Sequence, residues 1–217
     1  MKNLTLLLLL LSPCMQNFKK IDITKMSKIY RLNLINSITG YKSANLIGTK
    51  TNESINNVAV FSSVIHLGSN PPLIGFILRP TTVPRHTYEN IHKYSCFTLN
   101  QISKSQIKSA HQTSAKYPKE NSEFEETGLE YEFKDQIEAP FVKNSPIQVG
   151  CSFINEYEIK ENNTIFIIGK IEAIYVNKNL LLDDGLVQLD KGEIVAINGL
   201  DGYALPKLIE RFSYARP

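Results

Sequence analysis

Cysteine is scarce in this chain and badly placed for cross-linking: Cys14, Cys96 and Cys151 are odd in number, far apart, and contain no C-x-x-C pair. That pattern excludes a disulfide scaffold and a thiolate zinc site, and it points to a reducing compartment. Charge of one sign is scarce as well. The 24 Lys plus Arg against 21 Asp plus Glu leave a net of +3, far from the basic stripe of a dedicated nucleic-acid binder, so no nucleic-acid partner is expected. Long apolar runs are limited to residues 4–11, broken only by Thr5 and too short to span a bilayer, so no membrane partner is expected either. What remains is ordinary globular composition: 217 residues, 42% hydrophobic and 21% charged, with 10 Pro and 11 Gly. A chain of this length fits one domain and buries roughly 70% of the surface its unfolded form exposes, so no staple is needed for stability.

The familiar catalytic signatures are missing too. No G-x-G-x-x-G joins a strand to a helix, and Walker A is absent; Gly48-Thr-Lys-Thr51 places Thr where the Gly-Lys contact would be required. His66, His86, His92 and His111 share no H-x-x-x-H spacing, and no G-x-S-x-G elbow marks a nucleophile. No metal ligands are assigned. If this is an enzyme, a cofactor carries the reaction.

The leucine run stands apart from the rest. Lys2 before it and Pro13-Cys14 after it imitate a signal peptide, yet Ser12, Pro13 and Cys14 supply no A-x-A-like cleavage site, and Pro13 spoils a lipoprotein reading of Cys14. We read residues 1–14 as upstream sequence outside the fold and Met15 as the start of the domain, residues 15–217, located in the cytoplasm. A genuine secretory leader is the alternative.

Along the domain, residues 31–35, 44–49, 58–64 and 73–78 read as short strands separated by Gly40, by residues 51–57 and by residues 68–72. A helix is expected over 87–94, with Pro84 preventing an earlier start, Thr87 as its cap and Glu89 in its first turn. Residues 96–100 return to strand, and 105–115 read as an exposed helix ending before Pro118. After the acidic stretch 120–130, strands follow at 129–133, 148–159 and 164–176, the last two joined by a hairpin at 160–163. Many strands at short spacing with few helices predict a mainly β, closed or nearly closed antiparallel barrel decorated by helices.

The chemistry concentrates in residues 79–87, Arg-Pro-Thr-Thr-Val-Pro-Arg-His-Thr, which hold two guanidiniums, a histidine and three hydroxyls without a carboxylate, directly before a helix start. Helix N-terminal N–H groups and a nearby guanidinium favour a phosphate. The plain alternative is a solvated basic loop with Thr87 serving only as a cap. Ser62 and Ser63 form a second hydroxyl cluster at a strand end, for which a simple ST-turn is the alternative.

These same residues carry a resemblance. Asn45-Leu-Ile-Gly-Thr, then Asn57-Val-Ala-Val-Phe-Ser-Ser-Val-Ile-His-Leu-Gly-Ser-Asn-Pro-Pro-Leu, then Arg79-Pro and Arg85-His-Thr-Tyr-Glu-Asn-Ile, resemble the flavin reductase-like family of FMN-binding split-barrel proteins, in particular its flavoredoxin branch. Leu200-Asp-Gly-Tyr and Tyr214-Ala-Arg-Pro are similar to the family's closing segment. The resemblance implies a six-stranded antiparallel Greek-key split β-barrel with peripheral helices, a homodimer, and FMN near the dimer interface. It implies cofactor contacts at Asn57, Ala59, Phe61, Ser62, Ser63, Val64, Arg79, Arg85, His86, Thr87 and Asn90. The segment 57–64 would run along the isoalloxazine ring, and Ser62, Ser63, Arg79, His86 and Thr87 would gather at the phosphate. His66 would be a further neighbour.

No residue maps onto a catalytic acid or base, because hydride passing from NADH or NADPH to flavin N5 needs neither. The leading expectation is therefore an NAD(P)H-dependent FMN or flavin reductase. A non-enzymatic FMN electron carrier exchanging electrons with an acceptor protein is the second, and a split-barrel interaction protein without flavin is the third.

Overall fold

The structure is a computed structural model and describes residues 15–51 and 55–216. The leader, residues 1–14, and part of the expected turn at 51–57 lie outside the described residues. In chain order the elements are α1 (Lys20–Lys25), α2 (Lys28–Ser37), β1 (Lys42–Ser43), β2 (Asn45–Lys50), β3 (Asn56–Phe61), β4 (Ile65–Ser69), β5 (Pro72–Leu78), α3 (His86–Tyr94), β6 (Cys96–Gln101), α4 (Ile107–Gln112), α5 (Glu123–Thr127), β7 (Tyr131–Lys134), β8 (Ile137–Val142), β9 (Ile147–Ile159), β10 (Thr164–Val176), β11 (Ala196–Asn198) and β12 (Gly202–Ala204).

The main sheet is antiparallel throughout and runs β3-β2-β6-β9-β10-β5-β4. The mainly-β barrel class read from the sequence holds. Its six strands gain β4, a mostly exposed strand that among the described residues pairs only with β5. The expected strand 58–64 ends at Phe61, and the chain bends through Ser62–Val64 before β4 begins. That bend closes the barrel. β3 and β5 lie at or near opposite ends of the hydrogen-bonded order, yet Ser63 Oγ donates to the Ile77 carbonyl at 3.1 Å and accepts from the Ile77 N–H at 3.0 Å. One side chain thus stands in for a rung of the ladder.

Strand β2 is buried on both faces, so its residues divide by the two-residue period between two cores. Ile47 joins Phe76, Phe97, Leu99 and Ile167 in one core, where Phe61, Phe76 and Phe97 meet edge to face at 5.2 and 5.5 Å between centroids. Leu46 joins Val58, Phe124, Val142 and Val195 in the other, beneath α4 and α5. A Cβ on Gly48 would collide with the Pro140 carbonyl, so the crossing of β8 over β2 requires glycine there.

Two sequence expectations fail. Residues 31–35 are not a strand but the middle of α2, where the apolar residues Ile29, Leu32 and Ile35 recur every three positions. Ser27 caps α2 by accepting from the Tyr30 N–H, and the helix buries none of its residues. Thr87 does not cap α3 either. The helix starts one residue earlier, with Arg85 at the cap position and Thr87 turned into the sheet. Among the described residues no helix is long and apolar enough to cross a membrane, and no group of three or more His, Cys, Asp or Glu could hold a metal ion.

Candidate functional site

Strand β3 is an edge strand, so every second residue presents main-chain N–H and C=O away from the sheet. Three of its outward groups are already taken. Ser122 Oγ donates to the Asn56 carbonyl at 2.5 Å, the Val58 N–H donates to Glu123 Oε2 at 3.3 Å, and the Val60 N–H donates to Thr113 Oγ1 at 2.9 Å. Past the end of β3 the chain is open: among the described residues the main chains of Ser62 and Ser63 carry no hydrogen bond, and Val64 O accepts only from Ser43 Oγ, at 3.0 Å.

Asn57 anchors the covered edge. Its Nδ2 donates to Glu123 Oε2 at 2.7 Å, and its Oδ1 accepts from Thr49 Oγ1 at 3.1 Å and from Thr87 Oγ1 at 3.2 Å. Asn90 continues the network, donating from Nδ2 to Thr49 Oγ1 and Thr51 Oγ1, both at 3.0 Å. All six side chains are buried. Burial pushes the Glu123 carboxyl above its ordinary value, and its hydrogen bonds from Val58 and Asn57 and the nearby His86 oppose that only in part. The network pins α3 and α5 to β3.

The sequence-derived candidates therefore fall into two groups. Asn57, Thr87 and Asn90 lie at the start of β3 with their polar atoms mutually satisfied, while Phe61, Ser62, Ser63 and Val64 lie at its end, half-buried. Ala59, also half-buried, sits between them, paired with Ile47. From Asn57 to Phe61 the strand rises about 13 Å. A single phosphate cannot touch both groups; an elongated molecule lying along β3 can.

Ser63 spends its hydroxyl on Ile77, whereas the Ser62 hydroxyl makes no hydrogen bond among the described residues. Arg79 follows β5 directly and is exposed, and Arg85 Nε donates to the Pro80 carbonyl at 3.1 Å, folding the arginine loop onto itself. His86 opens α3 half-buried, and His66 lies exposed on β4.

The family model for the flavin reductase like domain matches residues 41–191. The chain belongs to that family. Among solved structures it is similar to a split-barrel protein of Shewanella frigidimarina, described as a candidate flavin reductase, at 43% identity and a TM-score of 0.89, covering 93% of this chain and 100% of that one. It is also similar in fold to nitrilotriacetate monooxygenase component B from Bacillus cereus, at 20% identity and a TM-score of 0.78 over 94% and 100% of the two chains. The flavoredoxin of Desulfovibrio vulgaris shares the fold at 23% identity and a TM-score of 0.70, over 81% and 92%.

For a flavin reductase-like chain, the donor set fits a flavin mononucleotide on two observations. The main chains of Ser62 and Ser63, just past the end of β3, make no hydrogen bond among the described residues, which suits a polar ring edge. The arginine loop 79–87 contains no carboxylate, which suits a phosphate.

Sequence reasoning missed Glu123, Ser122 and Thr113, the residues that cover the β3 edge. Glu123 sits in an acidic stretch that looks solvated. The available signal was Phe124, a lone aromatic among carboxylates, which is the fully buried residue of α5's inner face.

Proposed function

We infer that this protein is an FMN-binding oxidoreductase that accepts hydride from NADH or NADPH. The observation that carries the reading is the open main chain at Ser62 and Ser63, just past β3, set against an edge whose Asn56, Val58 and Val60 groups are taken by the protein's own side chains. The Ser62 and Ser63 main chain would orient the ring's polar edge, and the Arg79 and Arg85 guanidiniums would hold the phosphate. Bound FMN would supply N5 as the hydride acceptor, and no protein acid or base is required at that atom.

Partners follow from surface chemistry. Helix α2 leaves Ile29, Tyr30, Leu32 and Ile35 exposed, and residues 205–216 leave the body without regular structure, with Ile209 93%, Phe212 82% and Tyr214 88% exposed. Apolar surface on this scale suits a second copy of the chain, so the working unit in our reading is a homodimer in the cytoplasm. An electron-acceptor protein is the further partner if the flavin stays bound between turnovers.

The test is a visible spectrum of the purified protein followed by anaerobic addition of each nicotinamide. A flavin spectrum that bleaches with NADH or NADPH supports the reading. A flavin spectrum that neither nicotinamide bleaches makes the protein an electron carrier, and a colourless protein that binds no added FMN refutes both.

A further inference from the structure

A cavity of about 320 Å³ lies between the arginine loop, the first turn of α3 and the β9–β10 hairpin, and none of the proposed FMN contacts lines it. Pro80, Tyr88 and Ile165 give it apolar walls; Thr82, Glu156 and Glu158 give it polar ones, and none of its lining residues is basic. Its volume lies at the small end of ligand pockets, enough for a nucleoside and too small for a dinucleotide. It adjoins the candidate site on two sides. Pro80 also accepts the Arg85 hydrogen bond, and Tyr88 follows Thr87, which touches Asn57 of β3.

The two carboxylates of the lining differ in how they are held. Tyr88 donates its hydroxyl to Glu156 Oε1 at 3.0 Å, and His92 Nε2 lies 2.9 Å from Glu156 Oε2, so both oxygens of Glu156 are held. His92 packs its ring on Tyr88 and Phe153 at 4.4 and 5.2 Å, which fixes that end of the arrangement. Glu158, two residues further along β9 and so on the same face, is exposed and makes no hydrogen bond or ion pair among the described residues. A carboxylate facing a ribose accepts hydrogen bonds from the 2′-hydroxyl, and it repels a phosphate placed there.

We propose that this cavity receives the adenosine end of the nicotinamide dinucleotide and that Glu158 selects NADH over NADPH. The proposal rests on the hydride-transfer reading above. The aromatic and aliphatic walls take the base, the carboxylates take the ribose diol, and the 2′-phosphate of NADPH would meet two carboxylates in a lining without a basic residue, the loop's Arg79 and Arg85 being engaged by the flavin phosphate.

The experiment has two arms. In the first, the flavin-loaded protein is assayed with both nicotinamides; NADH is favoured by about tenfold or more in kcat/KM, and Glu158→Gln reduces that ratio to about threefold or less while leaving the flavin spectrum unchanged. In the second, the flavin-free protein is titrated calorimetrically with adenosine 5′-monophosphate and with adenosine 2′,5′-bisphosphate. The first binds, the second binds about tenfold more weakly, and Glu158→Lys inverts the order.

Equal use of the two nicotinamides, an unchanged ratio in Glu158→Gln, or no binding of adenosine 5′-monophosphate overturns the proposal. If neither nicotinamide bleaches the flavin, the hydride-transfer reading fails on its own, and the calorimetric arm still decides whether the cavity is an adenosine site.

Discussion

Replacing Glu123 tests the idea that the covered edge of β3 is scaffold. In Glu123→Ala the Asn57 Nδ2 and the Val58 N–H lose their shared acceptor in a buried setting. Each stranded donor costs about 1–3 kcal/mol, so the pair costs about 2–6 kcal/mol, a large share of the roughly 5–15 kcal/mol that holds a domain folded. Glu123→Gln keeps an oxygen for both donors and removes only the ionisable group, so it should cost far less.

The pH dependence then isolates the charge. Burial raises the folded-state pKa of Glu123 above its ordinary 4.5. Between those two values the folded protein binds more protons than the unfolded chain, so unfolding free energy falls as pH rises, and the loss is complete above the folded pKa. Below about pH 4.5 both states are protonated and the pKa difference contributes its full stabilisation. Urea titrations of wild type and Glu123→Gln from pH 4 to 8 should therefore show the wild type losing stability relative to the variant as pH rises, with equal m values. The reasoning is wrong if Glu123→Ala costs under about 1 kcal/mol at pH 5, or if the wild type gains on Glu123→Gln with rising pH.

Three further outcomes follow from the same geometry. Ser63→Ala removes both hydrogen bonds to Ile77 at the barrel closure, and its urea midpoint should fall by the equivalent of about 1–3 kcal/mol; an unchanged midpoint would show that β3 and β5 are held by packing alone. Arg79→Ala should weaken FMN by roughly ten- to a hundredfold and riboflavin hardly at all, whereas Thr87→Ala, whose hydroxyl is spent on Asn57, should lower stability by about 1 kcal/mol and leave the FMN to riboflavin ratio alone. Equal losses for both flavins in Arg79→Ala would remove the phosphate from this loop. Deleting residues 205–217 should shift sedimentation from dimer to monomer, and a truncated chain that stays dimeric would place the contact elsewhere, with α2 the next surface to test.

Much of this architecture was legible because local chemistry and tertiary fate agree. The long β9 and β10 alternate cleanly and turn at residues 160–163, where Asn163 takes a φ of 57°, as a short polar side chain can. The basic loop and the doubled serine were equally visible as clusters of one chemistry. What stayed hidden depends on distant partners. Nothing near Asn57 in the sequence announces that Glu123, 66 residues later, will satisfy its amide. Nor does the short apolar alternation of Leu32 and Leu34 around Asn33 reveal that Ser27 caps a helix through them. Thr87 looked like a cap because Thr favours that position. It is instead a buried donor, since the loop after Pro84 delivers the helix start one residue earlier and turns Thr87 toward the sheet.

An edge strand with open N–H and C=O groups invites pairing with another chain, and proteins cover such edges when they have no use for them. Here the covering stops part-way. Ser122, Glu123 and Thr113 come from two short helices and their flanks, and they reach the edge at Asn56, Val58 and Val60. The next outward residue in the alternation is Ser62, and at that point the chain leaves the sheet direction so that Ser63 can bridge to Ile77. One bend thus ends the strand, closes the barrel and leaves a short stretch of main chain that a flat, polar-edged ligand can satisfy without disturbing a ladder. The same bend gives the two serines different roles. Ser63 is required for closure before any ligand arrives, and Ser62 is the hydroxyl left over, so of the two serines Ser62→Ala is the one that should lose flavin affinity without losing stability.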